Sequence, residues 1–173
     1  DNMEAAISAA DLASITSYDS AFNETVADIA PQDLSIDNLK IYINYMIASQ
    51  AAQWDVVEWD VLNEPRDKTD VSDKLGTAQN AIEEANWFNL AEASVLNLDA
   101  LLFLNENKVI SDDNTTTVIT NRVNSFRATA DSILANGGAL QALGFQSRFG
   151  AMNSADDIYA RLEYFVDMGL PIA

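Results

Sequence analysis

The sequence of 173 residues contains no cysteine and no histidine. Without cysteine, these residues can form no disulfide and supply no thiol nucleophile or thiolate metal ligand. Without histidine, a Ser-His-Asp triad, a histidine general base and a histidine-bound zinc are excluded as well. Catalysis by this chain must therefore use carboxylates, amides, hydroxyls, lysine or arginine.

Basic residues are also scarce, since 9 Lys and Arg stand against 27 Asp and Glu and give a net charge of −18. A field of that sign repels phosphate backbones, which argues against a nucleic-acid partner. No apolar run approaches the roughly 20 residues needed to cross a bilayer, and no basic-then-apolar leader opens the chain, so we expect no membrane partner. The hydrophobic share of 49% is normal for a soluble domain with a buried core.

The apolar pattern predicts helices that alternate with short strands. Helices are expected at residues 36–50, 77–95, 115–136 and 154–169, with Ser35 and Ser154 as N-caps of the first and last. Strands are expected at 54–62, 98–107 and 140–149, with a loop at 64–73 and the opening of a fourth strand at 170–173. This alternation is typical of βα units and predicts an α/β fold with a parallel sheet. Residues 1–35 have weak periodicity and form an uncertain N-terminal segment.

Each of the three predicted strands ends in polar residues. These ends are Asn63-Glu64, Asn105-Glu106-Asn107 and Gln146-Ser147-Arg148. A single end of this kind is more often a turn or a helix cap, but the carboxyl ends of parallel strands meet at one rim, where ligands bind. Amides and carboxylates together offer the donors and acceptors that a hydroxyl-rich ligand requires. The three ends therefore predict a sugar site at this rim.

Several stretches resemble glycoside hydrolase family 10, the β-1,4-xylanases. "WDVLNEP" at 59–65 resembles the signature of the family's fourth strand, usually Trp-Asp-Val-Val-Asn-Glu. "WFNLAEASVLNLDALLFLNENKVIS", "NGGALQALGFQSRF" and "YARLEYFVDMGLPIA" follow in order and resemble helix 4 with strand 5, strand 6, and helix 6 with the start of strand 7. The resemblance covers residues 36–173 and implies the central part of a TIM (β/α)8 barrel, incomplete here, whose remainder lies elsewhere in a longer parent polypeptide.

The resemblance also implies a retaining mechanism with two carboxylates. Glu64 matches the general acid/base, and Asn63 matches the amide that binds the 2-hydroxyl of the sugar at the cleavage point. The other residues expected to bind substrate are Asn105 and Glu106 at the end of the second strand and Gln146 and Arg148 at the end of the third. The family's nucleophile, a glutamate near the end of strand 7, would fall beyond Ala173, so this segment alone is expected to be inactive.

Two positions depart from the family pattern. Arg148 stands where the family usually has a histidine that hydrogen-bonds the nucleophile, and Asn107 stands where a tyrosine is usual. An arginine could still hold the nucleophile's carboxylate through two hydrogen bonds and lower its pKa. The same replacement could instead mark altered specificity or lost activity.

The first function hypothesis is an endo-acting glycoside hydrolase that acts on a β-1,4-linked polysaccharide, xylan before others, and that is secreted or periplasmic. The alternatives are another enzyme of the same barrel clan (a β-glucanase or a mannanase), a barrel that binds polysaccharide without cleaving it, and an acidic scaffold with no sugar site. No cofactor and no metal are expected. Asp67, Asp70 and Asp73 lack the glycine and glutamate of a calcium loop.

Overall fold

The computed structural model of the chain describes residues 34–111, 118–149 and 154–173. Predictions for residues 1–33, 112–117 and 150–153 lie outside the described residues; they include most of the N-terminal segment and the start of the helix expected at 115–136. The elements in chain order are α1 (Ile36–Ala51), β1 (Glu58–Asn63), α2 (Asp70–Leu75), α3 (Thr77–Ser94), β2 (Leu101–Asn107), α4 (Asn121–Ala135), β3 (Ala142–Gln146), α5 (Ala155–Glu163) and a 3-10 turn (Val166–Met168).

The strands form a sheet in the order β1-β2-β3, and both neighbouring pairs are parallel. Asn63 pairs with Asn105, and Asn107 pairs with Gln146, so the three carboxyl ends lie at one edge of the sheet. The last residues run beside β3, where Leu143 and Ile172 form a parallel bridge. The predicted parallel α/β arrangement, including the opening of a fourth strand, is therefore confirmed.

The predicted N-caps are present. The Ser35 hydroxyl accepts a hydrogen bond from the backbone N–H of Asn38 at 3.2 Å, and the Ser154 hydroxyl accepts one from Asp157 at 3.0 Å. Each bond satisfies one of the amide groups that a helix leaves unpaired at its start. The polar residue placed just before each apolar stripe thus marks where these two helices begin.

Several predicted boundaries differ from the structure, among them the end of the last helix, which stops at Glu163 rather than at residue 169. The first strand begins at Glu58 rather than at Trp54. Trp54 lies outside the strand, and its side chain is 54% exposed. Helix α4 begins only at Asn121, because Thr120 turns its hydroxyl to the N–H of Val123 and caps the helix there. The segment predicted as a loop contains helix α2, whose acidic first turn suits the positive end of the helix dipole.

The main core lies between the sheet and the helices α3 and α4. The rings of Phe126, Phe145 and Phe165 contact one another edge-to-face, with centroids 5.2–5.6 Å apart, and all three are buried. Leu102 and Leu104 of β2 join the same cluster. Since side chains alternate along a strand, Asn105 must lie on the opposite face of the sheet from this core.

Strand β1 contains a bulge at Val61. Asp60 pairs with Phe103 and Leu62 pairs with Leu104, so Val61 is an extra residue on its strand. Val61 and Leu62 both pack against an apolar cluster that contains the helical residues Leu39, Leu75 and Trp87. The bulge therefore leaves Asp60 and Asn63 on the same face of the sheet, although a regular strand would send residues three apart to opposite faces.

Candidate active site

Three of the predicted site residues form one hydrogen-bonded network. The Nδ2 of Asn105 donates to the Oδ1 of Asn63 at 3.0 Å, and the Nε2 of Gln146 donates to the same oxygen at 3.0 Å. Each residue comes from a different strand, and the parallel register brings them level at the rim. The convergence of amides expected from the three strand ends is thus present in the structure.

The network fixes the orientation of the Asn63 carboxamide. The Oδ1 of the exposed Asn63 already accepts two hydrogen bonds, and its Nδ2 donates to no residue in the described ranges. On Gln146, the Oε1 is buried and has no partner among the described residues. The rim therefore offers one amide donor without a described partner, the Asn63 Nδ2, while the buried Oε1 of Gln146 is an acceptor that no described residue satisfies.

Glycine 144 makes room for this network. A Cβ at Gly144 would lie 2.6 Å from the Oδ1 and 3.0 Å from the Cγ of Asn105, its partner in the register. The absence of a side chain lets the Asn105 carboxamide lie over the backbone of β3 while its Nδ2 points towards β1. Nothing in the sequence marks Gly144 as a site residue, because a strand glycine has several common causes.

Asp60 is a further member that the strand pattern did not reveal. Its Oδ2 accepts a hydrogen bond from the Nδ2 of Asn105 at 3.1 Å. Burial raises the pKa of Asp60, the hydrogen bond from Asn105 opposes that rise, and the nearby charge of Glu58 adds to it. Asp60 thus shares with Asn63 the task of orienting Asn105, a role made possible by the bulge at Val61.

Glu64 sits at the start of a tight turn, residues 64–68, called here the Glu64 turn. Its φ is +54°, a left-handed conformation that is uncommon outside glycine. The backbone N–H of Glu64 donates to the carbonyl of Asn105 at 2.9 Å, and its own carbonyl accepts from Asp67 and Lys68. The half-buried carboxylate follows Asn63 directly, and none of the described residues hydrogen-bonds or ion-pairs with it. The acid/base candidate therefore follows a member of the amide network in the chain, and its partly exposed side chain has no described partner.

Glu106 does not face the cleft, contrary to the expectation from its place at the strand end. It follows Asn105 along β2, so its side chain points to the opposite face, where it is 0% exposed. Its carboxylate accepts hydrogen bonds from the backbone N–H groups of Arg66 at 3.1 Å and Asn107 at 3.0 Å. Burial raises the pKa of Glu106, against the opposing influence of these two bonds and of Arg122. A ligand at the rim cannot reach it.

The two positions that depart from the family pattern behave differently. Arg148 is exposed beyond the end of β3 and forms no ion pair within the described ranges. The Nδ2 of Asn107 donates to Asp67 at 2.7 Å, and Arg122 pairs with the same carboxylate at 2.5 Å. Hydrogen bonds from Asn107 and then Arg122 hold the pKa of Asp67 below its usual range. Asn107 therefore braces the Glu64 turn, while Arg148 remains available to a group outside these contacts.

Two other features are absent from the part of the chain that the structure describes. It holds no group of three or more acidic side chains placed to bind a metal ion. None of its helices combines the length and apolar character that a membrane span requires.

The fold of this chain is similar to that of several solved structures. A GH10 protein from Paenibacillus barcinonensis superposes with a TM-score of 0.63 at 18% identity, over 80% of this chain and 42% of that one. A GH10 endoxylanase from a sugarcane soil metagenome gives 0.64 at 20% identity, over 80% and 39%. Xylanase 10B from Thermotoga maritima gives 0.57 at 19% identity, over 79% and 40%. No match was found among curated proteins.

The similar structures establish the fold, and a match to a family model establishes the family. The chain spans about two fifths of the length of the structures it resembles, which are TIM barrels, so its strands and helices form part of such a barrel, as predicted. A sequence model described as Glycosyl hydrolase family 10 matches residues 18–173, so the match begins upstream of residue 36, the start of the resembling stretches. Because that match covers most of the sequence, the chain belongs to glycosyl hydrolase family 10.

Proposed function

We propose that this segment supplies the acid/base half of a retaining glycoside hydrolase that cleaves β-1,4-linked polysaccharide. The observation that carries the proposal is the convergence of Asn63, Asn105 and Gln146 beside Glu64 at the rim of the sheet. Amide groups alone would bind a sugar; a free carboxylate next to them adds a group that can exchange a proton with the glycosidic oxygen.

Glu64 acts twice in the proposed reaction. As a carboxylic acid it donates its proton to the glycosidic oxygen while the nucleophile, supplied from outside these 173 residues, attacks the anomeric carbon. As a carboxylate it then removes a proton from the water that hydrolyses the glycosyl-enzyme intermediate. The Nδ2 of Asn63 donates to the sugar hydroxyl beside the cleaved bond, and the two bonds to its Oδ1 keep that donor in place.

Xylan is the proposed substrate. The similar structures include an endoxylanase and a xylanase, at identities of 20% and 19%. A net charge of −18 suits an uncharged polymer better than an acidic one. A secreted or periplasmic location is part of the proposal, because an intact polymer such as xylan is too large to enter a cell.

The test is Glu64→Gln in the polypeptide that joins this segment to the remaining βα units. Gln keeps the size of the side chain but cannot donate a proton as an acid, so we expect release of reducing sugar from xylan to fall by about 10²–10⁴-fold. Glu163→Gln, at the exposed end of α5, is the matched control and should keep full activity. Undiminished hydrolysis by Glu64→Gln would refute the assignment, and parallel assays on β-glucan and mannan identify the substrate.

A second candidate is a barrel that binds polysaccharide without cleaving it. The observation that favours it is Arg148, which is exposed where the family usually places a histidine beside the nucleophile. In that case the wild-type protein binds xylan in a pull-down assay, releases no reducing sugar, and loses binding when Asn63 is replaced by alanine.

A further inference from the structure

The carboxylate of Glu106 is held by two elements that meet at the rim. Its Oε2 accepts from the backbone N–H of Arg66, and its Oε1 accepts from the N–H of Asn107. Arg122, in the first turn of α4, lies 3.6 Å from Oε1. Both oxygens are therefore used as acceptors, and a positive charge faces them inside a fully buried site. A carboxylate fits this surrounding better than an amide, which has only one acceptor oxygen.

The residue that Glu106 holds is in the Glu64 turn. Arg66 lies two residues after Glu64, and the turn is also fastened by the bond from the Glu64 N–H to the Asn105 carbonyl. Farther along it, Asp67 accepts from Asn107 and from Arg122. Every one of these contacts comes from the end of β2 or the start of α4. The turn that carries Glu64 is therefore fixed from the neighbouring strand.

The backbone of Glu64 needs such fastening. A left-handed φ at a glutamate costs free energy and persists only where the surrounding contacts enforce it. Since the Glu64 carboxylate itself is bound by no described residue, its position depends on the backbone of the turn. Loosening the turn would move the carboxylic acid without touching it.

We propose that Glu106 is a positioning residue for the acid/base step: its buried carboxylate fixes the Glu64 turn and so sets where Glu64 meets the glycosidic oxygen. This inference rests on the proposed function and adds a residue that never touches the sugar.

The experiment compares leaving groups in the full-length polypeptide. A phenyl β-xylobioside needs protonation of its leaving oxygen, whereas a dinitrophenyl β-xylobioside departs without it, and kcat/KM reports this bond-breaking step. For Glu106→Gln we expect a loss of about 10²-fold on the phenyl substrate, the size of effect that a misplacement of ~1 Å produces, and a much smaller loss on the dinitrophenyl substrate. Glu106→Asp, which keeps the buried charge, should change the ratio in the same direction and serves if the Gln variant does not fold.

The control is Glu83→Gln. Glu83 is also a buried carboxylate, 7% exposed, and pairs with Lys40 at 2.6 Å between α1 and α3. Its loss should lower stability and leave the ratio of the two kcat/KM values unchanged.

The outcomes separate this inference from the proposed function. Equal losses on both substrates in the Glu106 variants, no loss in either, or an equal change of ratio in Glu83→Gln would overturn the positioning role while leaving Glu64 as the acid/base. A wild-type protein that cleaves neither glycoside, or a Glu64→Gln variant that cleaves both normally, would refute the proposed function and this inference with it.

Discussion

Replacing Gly144 by alanine tests whether space beside Asn105 holds the amide network together. The new Cβ would lie 2.6 Å from the Asn105 Oδ1, where ordinary contacts begin at 3.4 Å. The carboxamide must therefore shift by close to 1 Å. A shift of that size moves the Nδ2 out of the geometry of its bonds to Asn63 and Asp60, which are 3.0 and 3.1 Å long, so we expect both bonds to be lost.

The expected change in the free energy of unfolding follows from these two bonds. Each contributes about 0.5–1.5 kcal/mol net, so their joint loss costs about 1–3 kcal/mol. Alanine also lowers the conformational entropy of the unfolded chain. This stabilises the folded protein by about 0.4–1 kcal/mol where the backbone conformation suits alanine. The backbone at Gly144 is not left-handed, so this gain applies, and we expect a net destabilisation of about 1–2 kcal/mol by urea unfolding.

A double-mutant cycle decides whether the clash is the cause. Asn105→Ala removes the two crowded atoms and leaves only its Cβ, 3.2 Å from the new methyl group. In that background Gly144→Ala should cost much less, so the two substitutions should show a coupling energy of about 1 kcal/mol or more. The same cost in both backgrounds, or a stabilised single variant, would refute the reasoning.

Two further predictions concern the core and the Glu64 turn. Phe126→Ala removes a ring that is 0% exposed and contacts both Phe145 and Phe165, so we expect a loss of about 3–5 kcal/mol, and a melting temperature close to that of the wild type would contradict this packing. Asp67 has a lowered pKa in the folded protein. Its ionised form therefore adds to the free energy of unfolding above about pH 4, and this contribution is lost as the pH falls through the lowered pKa. Asp67→Asn should therefore be less stable than the wild type at pH 7, with a smaller difference at pH 3; a difference independent of pH would argue against the Arg122 pair.

Much of the arrangement could be predicted from local sequence patterns. The apolar stretches that form β2 and β3 are continuous, because both faces of these two strands are largely buried. Serines before helical stripes marked two helix starts. The rule that parallel strands end at one rim predicts that Asn63, Asn105 and Gln146 lie together.

The remaining features depend on information that local patterns do not carry. The bulge at Val61 breaks the alternation of β1, so nothing in the spacing of Asp60 and Asn63 places them on one face. Arg122 reaches Asp67 across 55 residues of sequence. For Glu106 the signal was available, because adjacent residues of a strand cannot both face the cleft, and Asn105 already did.

The left-handed backbone at Glu64 has a consequence for how such a protein changes under selection. Glycine or asparagine adopts this conformation with less strain, whereas glutamate there costs on the order of 1 kcal/mol. Selection for thermal stability alone would favour replacing Glu64, and the variants it enriched would fold better while lacking the acid. A screen that improves the stability of this segment must therefore also select for activity, because selection for stability alone would replace Glu64.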